Sequence, residues 1–253
     1  MDRLAFNAAA AINEQRLTRQ VAVNELANVS TPGFKRSYEG AIRAITAEGP
    51  GMPTRIQPQA MSVDVIQLKP GPVMATGRDL DISMNDLTVM GVNSSDGKLA
   101  FTRRGDLRVS PAGVLETATG FAVRADGGGP LTVPAGADVR ITGDGSVFAT
   151  LPGQGNAPAV LAGRILLRDA GQTPLERRED GLFQPEGKEN QDITNGTRPP
   201  SLTAKALEGS NVNAMQILVK LMDQSRSFEQ QVRIIKEVKS GDEAGASMLK
   251  LSS

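Results

Sequence analysis

Val23-Asn24-Glu25-Leu26-Ala27-Asn28-Val29-Ser30-Thr31-Pro32-Gly33-Phe34 is where a long helical run is made to stop, and the rest of the chain is organised from that stop. Upstream, residues 4–29 hold neither Gly nor Pro and are rich in Ala, Leu, Glu, Gln and Arg, all good helix formers. Pro32 drives Thr31 out of the helical region, and Gly33 permits a reversed backbone. The helix's apolar stripe, Ala5, Ala9, Ile12, Val23 and Leu26, is thin and interrupted by Arg16 and Arg19. Such a helix is too weak to stand alone and needs a partner helix or neighbouring copies.

A second helix is expected at the far end. Ser210 or Asn211 can cap its first free N–H groups, and apolar residues then recur at heptad spacing. One seam takes Ala214, Leu221, Phe228 and Ile235; the other takes Leu218, Ser225, Val232 and Lys239. The stripe supports equally a helix packed on its own domain and a coiled coil, and the presence of a weak helix at the other terminus favours pairing of the two.

Between the helices the texture changes twice. Residues 49–72 carry five prolines, which reads as an extended connector, with Met61, Val63 and Val65 alternating as one short strand inside it. From Gly77 onward, short alternating runs predict half-buried strands: Leu80, Ile82 and Met84; Leu107 and Val109; Val139 and Ile141; Ile165 and Leu167. Ser95-Asp96-Gly97, Pro111-Ala112-Gly113, Gly127-Gly128-Gly129 and Gly143-Asp144-Gly145 supply the turns. The resulting fold class is α+β: N- and C-terminal helices pairing as a coiled coil, with a central antiparallel β-rich domain. The boundaries fall at 1–34 (helix and stop), 35–75 (connector), 76–205 (β-rich domain) and 206–253 (C-terminal helix).

Composition removes most chemistry. With 28 basic and 28 acidic residues the net charge is zero, so no global field draws nucleic acid or an anionic membrane. One Tyr and no Trp leave little material for stacking platforms. The absence of His and Cys removes the commonest general base, metal ligands and nucleophile, so neither catalysis nor a metal or other cofactor is expected. Gly127-Gly128-Gly129-Pro130 lacks the Lys and the helix start of a phosphate loop and reads as a hairpin turn. Asp79 and Asp81 share a strand face without a third acidic ligand and read as a solvated face; Arg103-Arg104 and Arg177-Arg178 read as rim charges. No run is long enough for a membrane span or shaped like a cleaved leader, which by itself places the protein in the cytoplasm.

Asn24-Glu25-Leu26-Ala27-Asn28, with Thr31-Pro32-Gly33-Phe34-Lys35, resembles the end of the first helix in the bacterial flagellar axial (rod and hook) proteins. Leu207-Glu208-Gly209-Ser210-Asn211-Val212-Asn213 before a heptad helix resembles their C-terminal motif, and Phe101-Thr102-Arg103-Arg104-Gly105 their β-domain signature. Two departures stand out: Asn24-Glu25 replaces a pair of Asn, and Met84-Asn85-Asp86-Leu87 replaces a Gly-x-Gly-aromatic turn. The opening Met1-Asp2-Arg3-Leu4 and the length of 253 resemble a proximal-rod subunit, with distal-rod or hook subunits as alternatives. The resemblance implies a structural, non-enzymatic rod subunit that polymerises through its terminal helices, transmits torque and lines the export channel. It implies export by the flagellar type III apparatus to the periplasmic rod without a cleaved signal, with copies of itself and other rod proteins as partners. The implied assembly surface is Ile12, Val23, Leu26, Asn28, Leu218, Leu221, Phe228, Val232 and Ile235; the implied stop motif is Asn24, Leu26, Ala27, Asn28, Thr31, Pro32, Gly33 and Phe34. The terminal helices are then expected to order only on incorporation. A reading from a different class is a β-domain module that binds cell-wall glycan.

Overall fold

A computed structural model describes residues 2–37, 42–46, 56–60, 65–151 and 158–251. Residues 61–64, which carry most of the alternation read as a connector strand, and the proline-rich 49–53 lie outside the described residues. The chain forms two compact units: one of residues 1–27, 39–63 and 213–253, the other of residues 28–38 and 64–212.

The larger unit is antiparallel throughout. Strand Thr88–Asn93 lies inside an eight-stranded sheet, flanked by Leu99–Thr102 and by Ala122–Val123, and it also pairs with Leu167–Asp169. Its near-continuous apolar run follows from burial on both faces. Val89 and Phe101 join Ile66, Leu175, Phe183 and Ile193 in one cluster. Met90 and Val92, one residue out of phase, join Ile82, Leu107, Leu115, Val123 and Leu131 in the other. Full burial of each such side chain contributes about 1.5–3 kcal/mol before ordering costs. A three-stranded sheet, Asp138–Ile141, Ser146–Thr150 and Val160–Arg164, closes part of the second cluster through Val139, Ile141 and Val147. Two ribbons return the C-terminal segment to the body: Leu202–Ala204 on Ile82–Met84, and Ala206–Glu208 on Val73–Ala75. The glycine run is a turn, as its composition indicates, with Gly128 N donating to Ala125 O (2.9 Å) and Ala125 N to Gly129 O (3.0 Å).

In the smaller unit, helix α1 spans Asp2–Ala27 and helix α2 spans Ala214–Leu251, beside a hairpin of Ile42–Thr46 and Ile56–Ala60. The expected coiled coil is corrected here. An interlocked seam would bury Leu218 and Phe228, yet each is 43% exposed, and Val23 on α1 is 50% exposed. Ile217, one residue from the expected seam, is buried instead, as are Ala22 and Glu25 on α1. A polar contact joins the helices, with Gln15 Nε2 donating to Gln224 O at 2.6 Å. The physical reason lies in the sequence: Ser225 and Lys239 interrupt the α2 seam, and Arg16 and Arg19 leave α1 without the matching knobs that a coiled coil requires. The expected cap is also corrected. Asn213, not Ser210 or Asn211, receives Gln216 N at 3.2 Å and starts α2.

Candidate functional site

The stop after α1 is built as the sequence indicates. Thr31 N and Oγ1 donate to the carbonyl and side-chain oxygens of Asn28 at 3.2 and 3.1 Å, and Gly33 adopts a φ of 68°. A Cβ on Gly33 would come within 2.2 Å of Arg103 O, so both the conformation and the close approach require glycine. Gly33 N donates to Glu208 O at 2.7 Å, which brings the first chain exit against the last strand before α2. Asn211 completes the tie: its N–H donates to Phe34 O (3.3 Å), and its amide accepts from Arg36 N (2.8 Å) and donates to Gln67 O (2.9 Å).

At the centre of this junction lies a buried ion triad. Glu208 Oε1 accepts from Lys35 Nζ at 2.5 Å and from Gly71 N at 2.8 Å, while Oε2 accepts from Arg103 Nε at 2.7 Å. Lys35 Nζ also donates to Lys69 O at 3.1 Å. The rest of the Arg103 guanidinium is satisfied by carbonyls of Met84, Asp86 and Thr88 at 2.7–2.8 Å. Side-chain exposure is 0% for Lys35 and Arg103 and 1% for Glu208. Two cations share one carboxylate, so burial, and next the Arg103 charge, push Lys35 down to about 8 against the opposing pull of Glu208. No solvent or substrate reaches these groups. The triad joins three chain segments and is arranged for fixity.

Arg103, expected on the rim, is instead fully buried: it follows a strand buried on both faces, and Glu208 and the carbonyls of Met84, Asp86 and Thr88 take up its guanidinium. Arg177 is likewise drawn in: it donates to Lys35 O and lies 4.4 Å over the Phe34 ring. Asp81, expected on a solvated face, is buried and receives Arg78 NH1 at 2.8 Å, whereas Asp79 is an exposed partner of Lys205. Glu208 and Lys35 lie inside motifs that the sequence singles out, but nothing in those motifs marks their charges as buried. The available signal is phase: Glu208 alternates with the buried Ala206. Of the stop motif, Gly33 and Phe34 are buried, Leu26, Asn28, Thr31 and Pro32 are half-buried, and Asn24 and Ala27 are exposed. On the helices, Ile12, Leu221, Val232 and Ile235 are half-buried, and Val23, Leu218 and Phe228 are exposed. Met215, Val219, Met222 and Ile234 add to that exposed apolar area, as do Leu17 and Val21 on α1. Meanwhile the amide oxygens of Gln15, Gln224 and Gln231 are buried without a hydrogen-bond partner. The pair therefore hides polar groups and shows apolar ones, the reverse of a finished helix packing. Among the described residues no cluster of His, Cys, Asp or Glu could hold a metal ion, and no helix is long and apolar enough to cross a membrane.

Comparison with known proteins meets these two features directly. Residues 203–248, which carry Glu208 and most of α2, match the flagellar basal body rod FlgEFG protein C-terminal family; residues 90–149, which carry Arg103, match the D1 domain of the flagellar hook protein FlgE/F/G family. A helix at each end of the chain and an antiparallel β-rich unit, with these two matches, define a structural subunit of the flagellar rod and hook class. The chain is 34% identical to the flagellar basal-body rod protein FlgF of Escherichia coli K12, over 97% of this chain and 96% of that one. It is 31% identical to FlgF of Salmonella typhimurium LT2 over the full length of both, and 26% identical to FlgG of Buchnera aphidicola from Acyrthosiphon pisum over 86% and 88%. The chain belongs to the FlgF family of flagellar basal-body rod proteins, structural subunits of the basal body.

Proposed function

We propose that this chain polymerises through its terminal helices into the proximal part of the rod, around the export path, and there carries torque rather than catalysing a reaction. The observation that carries the reading is the exposed apolar surface of α1 and α2, including Val23, Leu218 and Phe228, on helices joined to each other by a polar contact. Large apolar side chains left exposed on a helix pair offer docking surface, and heterologous contacts between copies build rods rather than closed dimers. Ile12, Leu26, Asn28, Leu221, Val232 and Ile235, half-buried on the same helices or at the α1 exit, extend that surface toward neighbouring copies and other rod proteins. In this division of work α1 and α2 make the contacts, while residues 28–38 and 64–212 form the β-rich body. Export by the flagellar type III apparatus without a cleaved signal, to the periplasmic rod, accompanies this reading. The buried triad supports it on the mechanical side, since a joint sealed by three ionic groups and backbone bonds resists relative motion of the segments it ties. The test is Phe228→Asp or Leu221→Asp: motility and incorporation into basal bodies are expected to be lost while the β-rich unit keeps its fold. Normal motility of both variants removes the helix surface from the mechanism.

A further inference from the structure

Beside α2 runs an open groove of about 450 Å³, lined by residues of both helices, among them Gln15, Val219, Lys220, Asp223 and Gln224. Its unsatisfied polar groups are acceptors. Gln15 Oε1 and Gln224 Oε1 are buried with no partner, and Asp223 adds an exposed carboxylate with no ion pair among the described residues. Lys220, the cation on the wall, is engaged in a contact of its own. Buried acceptors left open in this way call for a donor with several N–H groups held in a plane, which is what a guanidinium offers.

The same helix pair presents that donor elsewhere. Arg16 and Arg19 are exposed on α1, without an ion-pair partner among the described residues, and sit between Ile12 and Val23 along one face. That face has apolar ends and a cationic centre. The groove has an acceptor centre with Val219 on its wall, and Met215 and Met222 lie exposed one turn to either side of Val219 along α2. The two surfaces are complementary in charge and in the order of polar and apolar groups.

We propose that the groove is a guanidinium seat, filled by Arg16 and Arg19 from α1 of a second copy of this chain; the inference rests on the helix-mediated assembly proposed above. The arginines that break the α1 stripe thereby acquire a role: they fix the register of one copy on the next, as buried polar groups do in helix assemblies. An apolar stripe alone permits sliding by a turn, whereas a guanidinium seated on three acceptors has one position.

The test uses the full chain in flagellated cells. Asp223→Arg, and separately Arg16→Glu with Arg19→Glu, should each lower the amount recovered in purified basal bodies by about tenfold or more. All are exposed residues, so the unfolding midpoint of the soluble protein should not move. Combining the three reversals should restore incorporation to within about threefold of the parent. Because the chain has no Cys, Arg19→Cys on one tagged copy and Asp223→Cys on a differently tagged copy should yield a mixed disulfide dimer within basal bodies. Unchanged incorporation of Asp223→Arg, no restoration in the combined variant, or no mixed dimer overturns the seat while leaving helix-mediated assembly standing. Absence of the parent chain itself from basal bodies overturns the assembly reading instead.

Discussion

The triad of Lys35, Arg103 and Glu208 and the contact between α1 and α2 are opposite solutions to burying polar groups. In the triad every charge faces a partner and spare donors reach carbonyls, with ionic distances of 2.5 and 2.7 Å and no access to water. On the helices, three glutamine oxygens are buried and unanswered while Met215, Met222 and Phe228 are exposed. A buried acceptor without a partner costs about 1–3 kcal/mol, so the helix contact is poor in itself. The contrast marks where the molecule is complete. Among the described residues the β-rich unit leaves no buried side-chain polar atom open, whereas the helices leave three and expose large apolar side chains beside them.

The sharpest way to break the comparison is to remove the carboxylate. Glu208→Gln leaves two buried cations facing a neutral amide and should destabilise the β-rich unit by about 3–5 kcal/mol in urea unfolding followed by circular dichroism. Lys35→Met leaves the Arg103–Glu208 pair balanced and should cost far less; equal losses from both would mean that the triad does not act as a charge-balanced unit. A pH series sharpens the same point. Lys35 titrates near 8 in the folded chain and near 10.5 unfolded, so between those values the unfolded state binds more protons and stability rises with pH. Relative to Lys35→Met, the parent should gain up to about 3 kcal/mol between pH 8 and 10.5, with no pH dependence from this group below about pH 7. A flat difference across that window contradicts a buried ammonium. Gly33→Ala, with its Cβ driven against Arg103 O, should cost about 2 kcal/mol or more in the same assay. Phe228→Asp, on the other side of the comparison, should change monomer stability by less than about 0.5 kcal/mol while abolishing incorporation. A large loss of monomer stability would make Phe228 part of the chain's own core.

The alternation of Ile82 with Met84 and of Leu107 with Val109, with turn residues between runs, makes the antiparallel body legible, because strand phase is written locally in residue type. The stop at Thr31-Pro32-Gly33 is legible for the same reason. Partner choice is not. Heptad spacing in α2 points to an inward seam of Leu218 and Phe228, but spacing states which residues share a face and not what covers that face. The triad escapes a sequence reading because Lys35 and Arg103 lie 173 and 105 positions from Glu208, and charge in a sequence ordinarily marks solvent. Only Glu208 is set apart by phase, alternating in step with Ala206, and a single in-phase charge reads equally as an edge residue.

The most direct test compares amide hydrogen exchange in dilute monomer with that in purified basal bodies. Residues of α1 and α2 should exchange fast in the monomer and be strongly protected in the assembly, while Arg103 and Glu208 are protected in both. Slow exchange of both helices in the monomer would contradict this, since the helices would then be parts of a self-sufficient fold rather than surfaces awaiting other subunits.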